Sequence, residues 1–327
     1  MRLLLLGATG TIGQAVARAL LDRGYHVVCP LRQHDDHKRG GSVAATEAGL
    51  VGADVRTGNA GTALLTQLED LQHERFDAIV SCLASRTGAP KDAWEVDYGM
   101  NSALLKLAQQ AGIKHFVLLS AICVQKPLLA FQQAKLAFEQ ELIESGLRYS
   151  IVRPTAFFKS LSGQLQRVRD GKPFMLFGDG QLTACKPISD HDLAQFIALC
   201  LTDHQKFNQI LPIGGPGNAI TPLEQGNYLF NQLGMRPRFM HVPVALLSTI
   251  IVGLDAFKIL LPSLADKAAL AKIGRYYATE SMLVWDATRQ RYDADATPSF
   301  GSQTLFDHYD RLITEGRTVD LGDHAVF

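Results

Sequence analysis

The segment RLLLLGATGTIG, residues 2–13, constrains the fold more than any other part of the chain. Four consecutive leucines read as a strand covered on both faces, the situation of a strand inside a parallel sheet flanked by helices. The glycines that follow, Gly7, Gly10 and Gly13, stand between this strand and a helix-forming stretch near 11–23. Glycine at these places allows a tight turn, close approach of a pyrophosphate to the backbone, and close helix–strand packing. In this strand–turn–helix setting the Gly-x-x-Gly-x-x-Gly spacing predicts a dinucleotide cradle made by Gly7, Thr9, Gly10, Thr11, Ile12 and Gly13.

The end of the second strand selects the cofactor. An acid about twenty residues past the glycines would hold the ribose 2′-hydroxyl of NAD. That place is occupied by Arg32, in CPLRQHDDHKR, and a guanidinium matches a 2′-phosphate in charge and in bidentate geometry. NADPH is therefore the expected cofactor, with Asp35 and Asp36 read as solvated loop residues beyond the strand. Asp54, expected at the end of the third strand, is a candidate for the adenine edge, with a plain turn or capping role as its alternative.

The first half of the chain repeats the opening pattern. HVVCP (26–30), GLVGADV (49–55), FDAIVSCL (76–83), HFVLLS (115–120) and YSIVRP (149–154) read as strands, separated by helical stretches near 61–73, 93–112 and 130–146. This alternation predicts an α/β fold, a Rossmann-type doubly wound parallel sheet. After Pro154 the pattern loosens into a helix near 157–170, a turn at FGDGQ (177–181) and a helix after SDHD (189–192). A strand in QILPIGGPG (209–217) can rejoin the sheet, and helices follow near 222–233, 244–261 and 301–316. The expected organisation is an NADP-binding domain, 1–155, and a smaller C-terminal substrate lobe, 156–327, partly interleaved with the sheet. No linker composition separates them, so the two are expected to share a cleft.

Charge and cysteine content exclude several classes. Lys+Arg and Asp+Glu balance at 32 each, which argues against a whole-chain nucleic-acid binder. The five cysteines lie far apart without a Cys-x-x-Cys pair, so they read as buried reduced thiols, with neither disulfide nor metal expected. A first strand beginning at Arg2 leaves no room for a targeting peptide and predicts a cytoplasmic protein. The apolar run between Pro243 and Pro262 approaches the length of a membrane span, but Asp255 and Lys258 interrupt it. We read it as a helix packed in the core or lining an apolar pocket. Lying on a membrane surface is the alternative.

Ser120 at the end of the fifth strand and Lys135 on the next helix, added to the glycine motif, resemble the extended or atypical branch of the short-chain dehydrogenase/reductase superfamily. The usual Tyr-x-x-x-Lys is here Phe131-x-x-x-Lys135. Over most of the chain the resemblance is more specific. VSCLASRTG (80–88), DAWEVDY (92–98), HFVLLSAICVQKPLLAFQQAKLAFE (115–139) and SIVRPTAFFKSLSGQ (150–164) are similar to the NADPH-dependent 3,8-divinyl chlorophyllide 8-vinyl reductases. That resemblance implies an oxidoreductase acting on a CH–CH group, which saturates the 8-vinyl group of a chlorophyllide-type macrocycle to ethyl in chlorophyll or bacteriochlorophyll biosynthesis.

It also implies roles for individual residues. Cys82, Leu83, Ala84 and Ser85 would back the ribose and nicotinamide, Lys135 would hydrogen-bond the nicotinamide ribose, and Pro154 and Thr155 would lie beside the carboxamide. Ser120 would polarise a substrate oxygen in a carbonyl reductase, but a vinyl group has none, so satisfying the strand end is an equal reading. Phe131 is expected to be packing. Arg86, Lys126 and Lys159 are candidates for a propionate or plain surface charges. His191 in SDHD reads as helix-terminus composition, and the aromatics of 156–158 and 172–178 as core or macrocycle contacts. Two other functions remain open at this point: an NADPH-dependent reductase of another carbonyl or alkene, and a non-catalytic NADP-binding redox sensor or assembly factor. Retention of Ser120 and Lys135 beside a lost tyrosine favours the vinyl reductase.

Overall fold

Leu3 and Leu5 pack on one face of a central sheet and Leu4 and Leu6 on the other, and all four are fully buried. Each such burial stabilises the fold by about 1.5–3 kcal/mol, so the first strand anchors both halves of the core. These contacts come from a computed structural model, which describes residues 1–31, 49–57, 71, 74–257 and 264–317. The strands are β1 (Arg2–Leu6), β2 (His26–Leu31), β3 (Asp54–Thr57), β4 (Ala78–Ser81), β5 (His115–Leu119), β6 (Arg148–Pro154), β7 (Phe174–Phe177), β8 (Gln209–Ile213), β9 (Phe239–Val242), β10 (Val284–Asp286) and β11 (Arg291–Asp293). Seven of them form a parallel sheet in the order β3-β2-β1-β4-β5-β6-β8. The order reverses between β1 and β4, where a doubly wound sheet opens a crevice at its carboxyl edge.

Helix α1 (Thr11–Leu21) covers one face, and α2 (Asn101–Gln110) and α3 (Ala130–Glu144) the other. Helix α4 (Asp190–Leu199) lies beside α1, although it follows β6 by more than thirty residues. Strand β8 then pairs with β6 in register Ser150↔Gln209 to Pro154↔Ile213, so the C-terminal half of the chain returns to the sheet.

The remaining elements build a second layer over the carboxyl edge. Strands β7 and β9 pair in parallel, and α5 (Pro222–Gln232) packs with them around Phe158, Leu176 and Phe230. Helices α6 (Val244–Phe257) and α7 (Leu264–Thr279) pack on each other, the β10–β11 hairpin follows, and α8 (Leu305–Thr314) closes the cluster through the buried Tyr309.

Three expectations from sequence change. The third strand spans 54–57, not 49–55: Gly52 takes φ +95, so GLVGADV turns before it extends. The helix expected over 93–112 is broken into Pro90–Ala93, a π-helical Trp94–Met100, and α2. Its widened turn is held by the buried Asn101, whose amide donates to the Asp97 carbonyl (3.0 Å) while Ser81 donates to its oxygen (2.6 Å). Finally, α6 is not a core helix. None of its residues is buried, and Leu246, Ile250, Val252 and Phe257 are exposed. Among the described residues no helix is long and apolar enough to cross a membrane.

Candidate active site

The glycine loop is shaped by contacts that tolerate no side chain. Gly7 has φ +78, and a Cβ there would lie 2.5 Å from the Cys82 carbonyl oxygen. A Cβ on Gly13 would lie 2.1 Å from the Gly7 carbonyl oxygen. At Gly10 a Cβ would meet only the Gly7 carbonyl oxygen, at an ordinary 3.5 Å, so the protein itself leaves room there. Helix α1 starts here with no side-chain cap and no acid in its first turn. By contrast α4, α5 and α8 are capped by Ser189, Thr221 and Thr304. Uncapped first-turn N–H groups and the positive end of the helix dipole together favour an anion. Lys159 adds a cation, its ammonium donating to the Thr11 hydroxyl (3.3 Å). Thr9, Thr11 and Ile12 thus belong to a cradle whose donors suit a pyrophosphate.

Beside the cradle, the carboxyl ends of β4, β5 and β6 open into a cavity of about 1220 Å³. Leu83, Ala84, Ser85, Ser120, Phe131, Lys135, Pro154 and Thr155 all line it. This is larger than the roughly 300–1,000 Å³ of an ordinary small-ligand cleft, with room for a nicotinamide and a flat ring system together. Cys82 contributes its carbonyl to the Gly7 contact, while burial pushes its thiol up to about 12, away from any nucleophilic role.

Lys135 is one turn beyond Phe131 on α3, and its ammonium pairs with Asp97 at 2.9 Å. The Asp97 side chain is fully buried in the π-helical turn. It also accepts from the Ser85 N–H (3.2 Å), and its second oxygen has no protein partner. Asp97 was not singled out from sequence. Its signal was an acid in the middle of an otherwise helical, half-apolar stretch, and its meaning depends on a lysine 38 positions away.

Ser120 donates its hydroxyl to the buried Glu139, which also holds Arg153. Its N–H donates to the Val152 carbonyl (2.7 Å). These bonds tie the end of β5 to β6 and α3, so the strand-end reading of Ser120 accounts for its contacts. Phe131 is 9 % exposed and packs near Ile122, Cys123 and Ile273. Thr155 donates to the Lys186 carbonyl, and its N–H to the Ile213 carbonyl (2.9 Å).

Asp54 requires a correction. It is the first residue of β3, opposite Val28, and so lies toward the amino edge of the sheet rather than the carboxyl edge where an adenine would sit. The Arg56 guanidinium hydrogen-bonded to it (2.8 Å) holds its carboxyl below the usual range, and Glu74 and Arg2 complete a surface network. Arg32, Asp35 and Asp36 lie outside the described residues. Of the candidate cations, Lys126 is engaged by Glu280 (2.6 Å) and stacks on Trp285, and Arg86 lines the cavity. His191 is exposed beside Asp192, and no group of three metal-ligating side chains occurs among the described residues. Phe157 and Phe177 face the cavity, whereas Phe158 and Leu176 belong to the second-layer core.

The second residue not foreseen is Tyr277, on α7, a helix the sequence reading passed over. It lines the cavity, and its side chain interacts with that of Cys123.

Comparisons with known proteins bear on the family and the fold. Residues 7–204 match a family described as NAD(P)H-binding. The chain is 49 % identical to the chloroplastic divinyl chlorophyllide a 8-vinyl-reductase of Cucumis sativus, over 99 % of this chain and 79 % of that protein. It is 47 % identical to the protein of the same name from Arabidopsis thaliana, over 97 % of this chain and 78 % of that one. Among solved structures, the leucoanthocyanidin reductase–NADPH complex from Vitis vinifera is similar with TM-score 0.64 and 18 % identity. That likeness covers 96 % of this chain and 100 % of the other, and it demonstrates a shared fold.

Proposed function

The chain belongs to the divinyl chlorophyllide a 8-vinyl-reductase family, and from that premise we propose how its residues divide the work. The protein reduces the 8-vinyl group of a divinyl chlorophyllide to ethyl, with NADPH supplying the hydride. The observation that carries the reading is position 131. A carbonyl reductase needs an acid beside the developing alkoxide, and a lysine one turn on lowers the phenol's pKa to provide it. Here the lysine is kept, paired with the buried Asp97, while a packed phenyl ring stands in place of the acid. Negative charge arising on a conjugated macrocycle is delocalised and puts no oxygen at position 131. An apolar ring there keeps the shape of the site and suits a flat pigment.

Gly7, Thr9, Gly10, Thr11, Ile12 and Gly13 hold the pyrophosphate, and Leu83 to Ser85, Pro154 and Thr155 shape the nicotinamide end. Lys135 orients the ribose. The macrocycle occupies the outer part of the cavity, between these residues and α7. Anaerobic incubation of the purified protein with NADPH and divinyl chlorophyllide should yield the 8-ethyl pigment. NADPH binding with an untouched vinyl group would return the non-catalytic reading, and turnover of a carbonyl substrate alone would return the other reductase.

Two cations are assigned to the cofactor, and they are separable. Arg32 takes the 2′-phosphate, which only NADPH has; Lys159 faces the pyrophosphate, which NADH shares. Each charge-assisted contact is worth about 1.5–3 kcal/mol, or roughly ten- to a hundred-fold in affinity. Arg32→Ala should therefore collapse the preference for NADPH over NADH, whereas Lys159→Ala should weaken both equally. Titration of each cofactor by fluorescence decides this, and an unchanged ratio in Arg32→Ala removes the assignment.

Peripheral membrane contact is the role proposed for α6. It does not line the cavity, none of its residues is buried and half are exposed, and it is bounded by Pro243. An exposed apolar helix of this kind can lie in a bilayer interface, near a pigment that partitions there. The protein should float with chloroplast-lipid vesicles, and Leu246→Asp with Ile250→Asp should abolish flotation while NADPH binding is kept. Equal flotation of the two proteins would exclude α6 as the contact.

A further inference from the structure

Reduction of a vinyl group needs a proton as well as a hydride, and Phe131 cannot supply it. The cavity lining, however, carries a phenol from a different element. Tyr277 is the one tyrosine among the described residues that line it. Ile273 stands one turn earlier on the same face of α7. Its side chain meets Phe131 across Gly88, where a Cβ would touch Ile273 at 2.9 Å and Phe131 at 3.3 Å. Tyr277 therefore enters the cavity one helical turn from the ring that stands in for the usual acid. Its partner Cys123 also lies in the field of Lys135, which places the phenol on the side of the cavity where Lys135 and Phe131 meet.

The neighbouring tyrosines have other commitments. Tyr276 donates to the Cys123 carbonyl (2.9 Å) and docks α7 onto the segment after β5. Tyr292 donates to Glu280 (2.6 Å), Tyr228 to Asp310 (2.8 Å) and Tyr309 to the Leu161 carbonyl (2.8 Å). Tyr277 has a thiol for a partner, and sulfur is a weak acceptor, so its proton is not locked in a strong hydrogen bond. The residue as a whole is 38 % exposed, so its ring borders solvent although its hydroxyl is buried. Burial of the hydroxyl, and then its nearness to Cys123, keep it protonated well above the ordinary tyrosine range. A neutral phenol can act as a general acid toward carbon, and the charge delocalised in the ring is quenched when the inner vinyl carbon takes its proton.

We propose that Tyr277 is the proton donor of the vinyl reduction, an inference that rests on the 8-vinyl-reductase reading. With the hydride delivered to the outer vinyl carbon, the electron pair of the C=C bond moves to the inner carbon and the conjugated ring. The O–H bond of Tyr277 breaks, its proton forms the new C–H bond at the inner carbon, and the electron pair stays on the phenolate. Solvent reprotonates the phenolate through the open side of the cavity. One hydride and one proton convert vinyl to ethyl, and NADPH leaves as NADP⁺.

The test uses the full chain in single turnovers with NADPH and divinyl chlorophyllide. Tyr277→Phe should slow ethyl formation about 100-fold, the scale of a lost general acid. It should leave NADPH affinity, pigment affinity and melting temperature as in wild type. A 3,5-difluorotyrosine at position 277, with a more acidic phenol, should bring an alkaline limb of the rate–pH profile down toward neutrality, a change that a merely structural tyrosine would not produce. Cys123→Ala separates the two protons on this side of the cavity and should slow the reaction less than about tenfold. A Tyr277→Phe rate within twofold of wild type, an unmoved pH profile, or a Cys123→Ala loss equal to that of Tyr277→Phe would each overturn the assignment. If wild type itself leaves the vinyl group intact, it is the underlying reading that has failed.

Discussion

Lys135→Met is expected to lower stability by about 3–5 kcal/mol, because it leaves a buried carboxylate without its counter-charge. The Asp97 side chain is fully inaccessible, and Lys135 is its ion-pair partner at 2.9 Å; the Ser85 N–H is a single further donor. Breaking such a pair costs more than the pair is worth, since the surviving charge keeps its desolvation penalty. The double variant Lys135→Met with Asp97→Asn removes that charge and should recover most of the lost stability in urea unfolding. It should not recover turnover, because the ammonium proposed to orient the nicotinamide ribose is still absent. If the double variant is as unstable as the single one, an uncompensated charge is not the cause. If it regains turnover, Lys135 is a structural partner of Asp97 and has no role with the cofactor.

What could be read in the sequence follows from how local each determinant is. The strand RLLLLG and its glycines declare themselves within a dozen residues, and the alternating strands and helices up to Pro154 extend the same signal. Asp54 was misplaced because a two-residue shift, forced by the turn at Gly52, moves a side chain from one end of a strand to the other. The apolar α6 was misread because hydropathy reports that a face avoids water without saying what covers it. Asp97 and Tyr277 were invisible for a third reason. Each acquires meaning from a partner brought to it by tertiary structure, Lys135 in one case and Cys123 in the other. The missing tyrosine at 131 was plain in the chain; the phenol that stands near its place was not.

Gly13→Ala should unfold or severely destabilise the protein, whereas Gly10→Ala should leave it folded but with weakened NADPH binding. An alanine at position 13 gains up to about 1 kcal/mol of helix propensity over glycine. Its Cβ, however, would lie 2.1 Å from the Gly7 carbonyl oxygen, 2.7 Å from the Gly7 carbonyl carbon and 2.9 Å from the Ala8 Cα. All three are backbone atoms, so no side chain can swing aside. Helix α1 would have to withdraw from β1, opening the contacts of Val16, Ala17 and Leu20 with the sheet. Overpacking of this kind costs about 3 kcal/mol or more and outweighs the propensity gain. At Gly10 the same methyl group meets nothing closer than 3.5 Å, and it would project into the space proposed for the pyrophosphate. Loss of that approach should weaken NADPH about ten- to a hundred-fold, the worth of one or two charge-assisted hydrogen bonds. Melting curves and NADPH titration of the two variants give the answer. Wild-type melting of Gly13→Ala would show that α1 does not rest on the glycine turn as described. Wild-type NADPH affinity in Gly10→Ala would move the pyrophosphate away from the start of α1.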